Sequence, residues 1–418
     1  MVAIQNNLII KIKPSPIEML YSTQEIDTSF ILISKNYLND VSFRINPEFI
    51  EQVPPRIIKE FPFSYQFNCA TEEAEHYFYQ NKKHLNRHKT IGEKIFAILQ
   101  TGKYRAGTTR QTKFDENKQN FLLKIDTAIA KQEPITFVLP SFPFKCPNPA
   151  KVRRRSPDMA EILCLSRLYE ICKVISKFYS PGAKFIIIAD GDVYKEMFGI
   201  TKYEALNYKE TCISFIKQLG FSNQIEVVDM ANLIEKNKSD YNIFLKNLKP
   251  QFSQWWNNNK ESDKVRSLVD SSTANISSNT HICQDLVKLG TSRPYNKLDT
   301  EKLIRHIEDT RKKIFRRAEQ CAFDYALFLY VLKEMDLINL SYPNAIRSTV
   351  HPKPKQWGIH LVNAKSRIFP WHGMAFLGDN GWKISYESEL INERQTPVHL
   401  NGDDWPFFYE SGTNSFYK

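Results

Sequence analysis

The sequence predicts an α/β protein: a Rossmann-like parallel-sheet core with flanking helices, an antiparallel β-rich C-terminal part and an irregular N-terminal extension. Three observations predict it. The short apolar runs ITFVLP, after Pro134, and AKFIIIAD read as strands buried on both faces. Each is followed by a helical pattern, and strand–helix alternation at this spacing implies parallel pairing with right-handed crossovers. Towards the C-terminus the segments IRSTVHP, KQWGIHLVNA and RIFPWHGMAFLGDNGWKIS alternate and are aromatic and turn-punctuated, which predicts antiparallel strands.

In chain order, residues 1–85 hold short strand-like runs such as Phe30–Ser34 between Asn, Pro and Asp, and read as an extension packed on the main domain. A helical pattern starts near Thr90 and stops at Thr101–Gly102, and a second runs over Asn120–Lys131. After the first buried strand comes a long loop, 141–157. Asp158–Phe178 then carries apolar residues at helical spacing, with Ser156 and Pro157 as N-cap and first-turn proline. After the second buried strand, a helix near 203–219, a strand Ile225–Val228 and a helix to about Leu248 complete the pattern. Residues 251–300 are polar and read as a long loop or lid, and Lys302–Leu337 is helical. The divisions are 1–85, 86–376 for the Rossmann-like domain and 377–418 for the C-terminal β-rich segment.

The chain has 418 residues, of which 42% are hydrophobic and 25% charged, an ordinary globular balance that can bury a sizeable core. Net charge is +11 with a pI of about 9.1, which fits either nucleic acid or anionic small molecules. The Lys and Arg are spread along the chain and the aromatics fall in apolar stretches, against a single-strand-binding pattern. The seven Cys form no C-x-x-C, a reduced pattern without a zinc framework. The N-terminus has only a three-residue apolar run, and no stretch approaches the roughly 18 residues of a membrane span. A cytoplasmic protein that binds no membrane is expected.

Ligands in parallel α/β sheets bind beyond the carboxyl ends of the strands. Two such ends carry unusual polar loops, 141–157 and the turn at Asp190-Gly191-Asp192. The first is stiffened by prolines and brings Lys145, Lys151 and Arg153–Arg155 to a helix start, either an anion site or a solvated basic loop. Asp158 and Glu161 are either an acid–base pair or a capping box. Asp190 either holds a substrate group or caps the next helix. Arg347 and His351 share a face if their segment is a strand, and His351, His360 and His372 match no standard metal spacing. Proton transfer by His351 or His372 is the better reading. No G-x-G-x-x-G, P-loop or G-x-S-x-G motif is present.

In LPSFPFKCPNPAKV, SPDMAE, YSPGAKFIIIADGDVY, AIRSTVHP and FPWHGMAF, in that order, the chain resembles the isonitrile (isocyanide) synthases of pyoverdine/dityrosine-type biosynthesis over roughly residues 90–376. It departs from them at Cys146, at Ala189 and Asp192 in the ADGD turn, and in the Arg153–Arg155 run. The resemblance implies conversion of an amino acid, tyrosine or tryptophan, to its isonitrile. The added carbon is the ketone carbon of ribulose 5-phosphate, a co-substrate. No metal or redox cofactor is implied, and an iron/2-oxoglutarate oxygenase would follow. Lys145, Lys151 and Arg347 would meet the phosphate and carboxylate, with Asn148, Asp158, Glu161 and Trp371 also in the substrate site. Lys145, Asp190, His351 and His372 would be catalytic. Lys145→Ala and His372→Ala are each expected to cut turnover with the fold intact. Two alternatives stand: an enzyme forming N-formyl or N-acyl amino acids, and a basic nucleic-acid-binding protein.

Overall fold

The computed structural model describes residues 53–106, 117–145, 151–279, 297–350, 356–363, 366 and 368–412, together with the backbone of five strands among the first 46 residues. Those strands are β1 (Ile4–Gln5), β2 (Asn7–Ile12), β3 (Glu18–Ser22), β4 (Phe30–Ser34) and β5 (Val41–Asn46). They pair antiparallel in the order β1-β2-β5-β4-β3.

The central sheet consists of β7 (Ile135–Pro140), β8 (Ala183–Ala189), β9 (Ile225–Asp229), β10 (Ile346–Thr349) and β11 (Trp357–Gly358), numbered after the short β6 (Arg56–Ile58). Its order is β11-β10-β7-β8-β9 and every pairing is parallel. The strands are apolar almost throughout because both faces are covered. Phe137, Leu139, Phe185 and Ile187 enter the large core on one face, while Val138, Ile186 and Ile188 enter a second core on the other.

The chain runs from β7 to β8 and β9 on one side, then returns to place β10 on the other side of β7. This reversal opens a crevice at the carboxyl ends of β7 and β10, the position where open α/β sheets bind ligands.

Helices α1 (Phe63–Leu85), α2 (Ile91–Gln100), α3 (Lys118–Lys131) and α4 (Met159–Ser176) precede or follow β7. The capping box of Thr90 with Glu93 opens α2. The sequence predicts one apolar face for α4, but the helix is buried nearly all round, between the sheet and α1. Its polar residues are therefore paired: Ser166 with Gln66, and Glu170 with Tyr104 and Arg167. Residues 56–85, expected to be irregular, are β6 and the helix α1. Their apolar periodicity is diluted by Gln, Glu and Lys, and only packing on α4 reveals the buried side.

Helices α5 (Gly191–Phe198), α6 (Lys202–Gln218) and α7 (Met230–Lys236) surround β9. Between β9 and β10 stand α8 (Lys238–Asn258), α9 (Asp263–Asn279), α10 (Lys297–Met335) and the short α11 (Leu337–Ser341). The expected loop over 251–300 is thus corrected as far as residue 279, and 280–296 lie outside the described residues. Val265, Leu268, Val269 and Ile276 form a helical stripe hidden among Ser, Asp and Lys, and Val265 and Val269 meet Phe252 and Trp256 in a separate core.

The C-terminal sheet contains β12 (Met374–Gly378), β13 (Gly381–Ser385), β14 (Thr396–Leu400) and β15 (Phe408–Glu410), with helix α12 (Glu387–Asn392) between β13 and β14. The antiparallel expectation for the segments from IRSTVHP onward is corrected: β10 and β11 join the parallel central sheet, and the C-terminal sheet is mixed, with β12 parallel to β15 and β6 parallel to β14 at the edge. Long-range chain return, not local pattern, makes those pairings. Arg56 holds the joint with two hydrogen bonds to Glu410, 2.6 and 2.7 Å.

Gly191 begins α5 directly under the loop after β7. A Cβ there would lie 1.9 Å from the carbonyl oxygen of Pro143, a backbone atom that cannot swing aside. Gly191→Ala is expected to lower unfolding stability by about 1–3 kcal/mol, the usual cost of overpacking. Urea denaturation checks this, and an unchanged midpoint would contradict the close approach.

Candidate active site

The loop after β7 is held before it reaches any ligand. The Ser141 N–H donates to Ile188 O at 3.2 Å, extending the ladder by one step. Phe142 then takes a left-handed conformation, φ 59°, which is costly for a bulky residue. Its ring is buried against Trp371, centroids 5.7 Å apart, so packing holds the turn.

Lys145 ends this stretch with its side chain fully buried. Its ammonium pairs with Asp158 Oδ2 at 2.8 Å and Glu161 Oε2 at 3.2 Å. It also donates to the carbonyls of Pro370, 2.6 Å, and Gly373, 2.8 Å. Three protons thus face four acceptors, and no capacity remains for a ligand. Asp158 caps α4 by accepting from Ala160 N–H, while Glu161 accepts from the Asp158 N–H and from the Tyr208 hydroxyl. Burial works against the Lys145 charge, but the two carboxylates outweigh it and hold its pKa up. Burial also pushes Asp158 up, and Glu161 up to about 7, against the pull of Lys145. Lys145, Asp158 and Glu161 are therefore corrected from site residues to a buried structural knot. Sequence shows the residue types but not that they meet each other.

A cavity of about 700 Å³ opens at the crevice between β7 and β10. Of the expected residues, Asp190, Arg347, Trp371 and His372 line it. Asp190 stands at the N-cap of α5, yet its side chain makes no capping bond. Its Oδ1 is sealed from solvent and has no hydrogen-bond partner among the described residues. Burial pushes its pKa up to about 7, reinforced by Asp229 on the neighbouring strand. Arg347 comes from β10. Its Nε is buried without a hydrogen-bond partner among the described residues, and Asp336 lies 3.9 Å from Nη1 on an exposed side. Such a distant, solvated contact neutralises little. Burial lowers the Arg347 pKa, so an anion in the cavity would be welcomed.

His372 lies in the turn Pro370–His372, whose flanking carbonyls are the two that Lys145 holds. Trp371 stacks on Phe369 with centroids 5.3 Å apart. Part of the remaining wall was not foreseen: Tyr194 from α5 and Tyr325, Leu329, Leu332 and Lys333 from α10. Tyr194 and Tyr325 meet edge to face at 4.9 Å, and both feel the Asp190 carboxylate. Tyr194 sits in the ADGDVY segment and could have been chosen there. Tyr325 carries no local signal, because only the return of a long helix brings it to the sheet.

Several expected residues lie elsewhere. Lys151 is off the cavity wall, its carbonyl accepting from Glu387 N–H. Arg153 pairs with Glu387 at 3.0 Å, Arg154 with Asp403 at 2.6 Å, and Arg155 with Glu204. This basic run is neither an anion site nor merely solvated; it fastens the loop to carboxylates of α12, of the turn after β14 and of α6. His360 is outside the cavity lining. Asn148 and His351 lie outside the described residues. Among the described residues no three His, Cys, Asp or Glu side chains converge to hold a metal ion, and no helix is long and apolar enough to cross a membrane.

The knot carries a prediction that replaces loss of turnover alone. Lys145→Met leaves two buried carboxylates without their cation and is expected to cost about 3–5 kcal/mol. Without the cation both carboxylates titrate still higher than they do in the parent, so the variant's folded state binds more protons than the parent's at and above the parent's titration near 7. The deficit relative to the parent should therefore grow as pH rises through about 7, measured by urea unfolding at several pH values. A fully stable Lys145→Met protein would overturn the assignment.

The family model described as pyoverdine/dityrosine biosynthesis protein matches residues 125–397, which hold the whole central sheet and the cavity-lining residues. An L-tyrosine isonitrile synthase of Pseudomonas aeruginosa is 27% identical over 287 residues, covering 67% of this chain and 81% of its own. The L-tryptophan isonitrile synthase AmbI2 of Fischerella ambigua is 26% identical over 292 residues, covering 67% of this chain and 79% of its own. The crystal structure of the PvcA protein from Pseudomonas aeruginosa superposes with a TM-score of 0.57 at 24% identity, over 77% of this chain and all of that one, a likeness of fold. The chain belongs to the pyoverdine/dityrosine biosynthesis family.

Proposed function

We propose that the protein is an isonitrile synthase of secondary metabolism, which converts the amino group of an L-amino acid of the tyrosine or tryptophan kind to an isonitrile. Ribulose 5-phosphate is the proposed carbon donor, and no bound cofactor is called for. Relatives named for the same transformation, on tyrosine and on tryptophan, support the reaction. One observation carries the site: a carboxylate with an unpaired oxygen and a poorly neutralised guanidinium share one aromatic-walled cavity. An aromatic amino acid offers the complement, an ammonium, a carboxylate and a ring.

In this reading Arg347 binds the α-carboxylate, and the ring lies among Tyr194, Tyr325 and Trp371. Ionised Asp190 receives the ammonium and takes one of its protons, which frees the lone pair to attack the donor's ketone. With a pKa of about 7, Asp190 can accept that proton and return it at neutral pH. His372, on the same wall, carries protons during dehydration to the imine and the fragmentation that follows.

Incubation with ribulose 5-phosphate and a panel of amino acids should give, by mass spectrometry, a product with one added carbon and two fewer hydrogens. A product heavier by a formyl group selects the N-formyl reading, and no product from any amino acid removes both. Asp190→Asn is expected to lower kcat/KM by about 10²–10⁴-fold. For the parent, activity should rise with pH through about 7, as the raised carboxyl ionises, and the variant should lose that limb. Arg347→Met should raise the KM for the amino acid by about 10–100-fold, the loss of a charge-assisted hydrogen bond.

A further inference from the structure

Two phenol hydroxyls in the cavity take no part in holding the fold. Tyr194 and Tyr325 line it together with Asp190 and Arg347. Tyr194 lies one turn beyond Asp190, which stands at the N-cap of α5. Neither hydroxyl has a hydrogen-bond partner among the described residues, and neither oxygen is sealed from solvent as Asp190 Oδ1 is. Other tyrosines set among carboxylates behave differently. Tyr104 donates to Glu170, Tyr208 to Glu161 and Tyr409 to Glu387. Tyr194 and Tyr325 both lie in the field of Asp190 yet donate nothing to it. Their donor capacity is left open to the cavity.

The two rings are fixed before any ligand arrives. Tyr194 meets Tyr325 edge to face at 4.9 Å and Phe328 at 5.6 Å. The helices that carry them are tied together. Ser272 of α9 donates to the Met197 carbonyl of α5 at 3.1 Å, and Arg317 of α10 pairs with Glu196 at 3.3 Å. Fixed, unspent donors beside a proton-accepting carboxylate suit addition of an amine to a carbonyl, where negative charge develops on oxygen.

Resting on the isonitrile-synthase reading, we propose that the Tyr194 and Tyr325 hydroxyls are catalytic, donating hydrogen bonds to the carbonyl oxygen of the carbon donor as the substrate amine adds to its carbon. The amine sits at Asp190, so the carbon it attacks and the oxygen on that carbon come beside the two phenols. Asp190 takes one ammonium proton. The nitrogen lone pair forms the C–N bond, and the C=O π pair moves onto oxygen, where the phenols hold it. Asp190 returns its proton to that oxygen and takes another from nitrogen. This proton leaves with the hydroxyl as water by way of His372. The sum is ammonium plus carbonyl to iminium plus water. The phenols keep their own protons throughout: burial and the Asp190 carboxylate raise both, Tyr325 to about 12.

Tyr194→Phe and Tyr325→Phe each remove one oxygen and keep the packed ring. Each is expected to lower kcat by about 10²-fold, the cost of one such donor, while the amino-acid KM stays within twofold and the urea midpoint is unchanged. Borohydride trapping reads the step itself. With L-tyrosine or L-tryptophan and ribulose 5-phosphate, hydride reduces the imine to a secondary amine detected by mass spectrometry. The rate of its formation should fall by the same factor as kcat. If isonitrile forms and both variants turn over like the parent, the reaction stands and the phenol role falls. A raised amino-acid KM at unchanged kcat would make the hydroxyls substrate-binding groups and overturn the proposal. Slow turnover with parental trapping would place their action after addition and overturn it as well. If trapping depends on both hydroxyls but no isonitrile forms, the phenol role stands and the isonitrile reading falls. If the parent gives neither imine nor isonitrile with any amino acid, both fall.

Discussion

One buried ammonium joins the parts of the molecule that make the cavity. Lys145 closes the loop after β7, and its four acceptors come from the start of α4 and from both ends of the turn Pro370–His372. An unpaired charge at such depth would be prohibitively costly, so the three segments are held to a single arrangement. Trp371 and His372 lie between the two carbonyls that Lys145 grips. The lysine therefore acts on the site through position, by placing the residues that line it.

Charge satisfaction separates scaffold from site across the whole region. Lys145, Asp158 and Glu161 satisfy one another, and Arg153, Arg154 and Arg155 each find a carboxylate. Asp190 and Arg347 do not share in this balance. Among the described residues, Asp190 keeps a sealed oxygen without a partner and Arg347 has only a distant carboxylate on its exposed side. Charges left poorly compensated inside a cavity are the ones a substrate can compensate, and perturbed titration at such places is a mark of function.

The sheet order supplies the room. Because β10 returns to the far side of β7, the carboxyl ends of these strands diverge and their loops do not cover each other. The helices between β9 and β10 then wall the opening. Their separate core of Phe252, Trp256, Val265 and Val331 lets α10 stand as a rigid wall bearing Tyr325 and Leu329.

Local chemistry, taken alone, determined a good deal. The apolar runs at 135–140 and 183–189 read as doubly covered strands, and their alternation with helices implied a parallel sheet. Asp158 and Glu161 carried the signature of a capping box, and the ADGD and PWHG segments pointed to Asp190, Trp371 and His372. Sequence was silent wherever a residue's role depends on what returns from far away. Lys145 reads as an available cation until Asp158, Glu161 and two distant carbonyls close on it. Arg153–Arg155 read as a solvated run until Glu387, Asp403 and Glu204 arrive, and Tyr325 reads as one more helical aromatic. A charge's identity is written locally, but whether it is spent on the fold or left for a ligand depends on the partners that folding brings to it, from Asp158 near Lys145 in the chain to Glu387, 234 residues beyond Arg153, and only tertiary structure decides that.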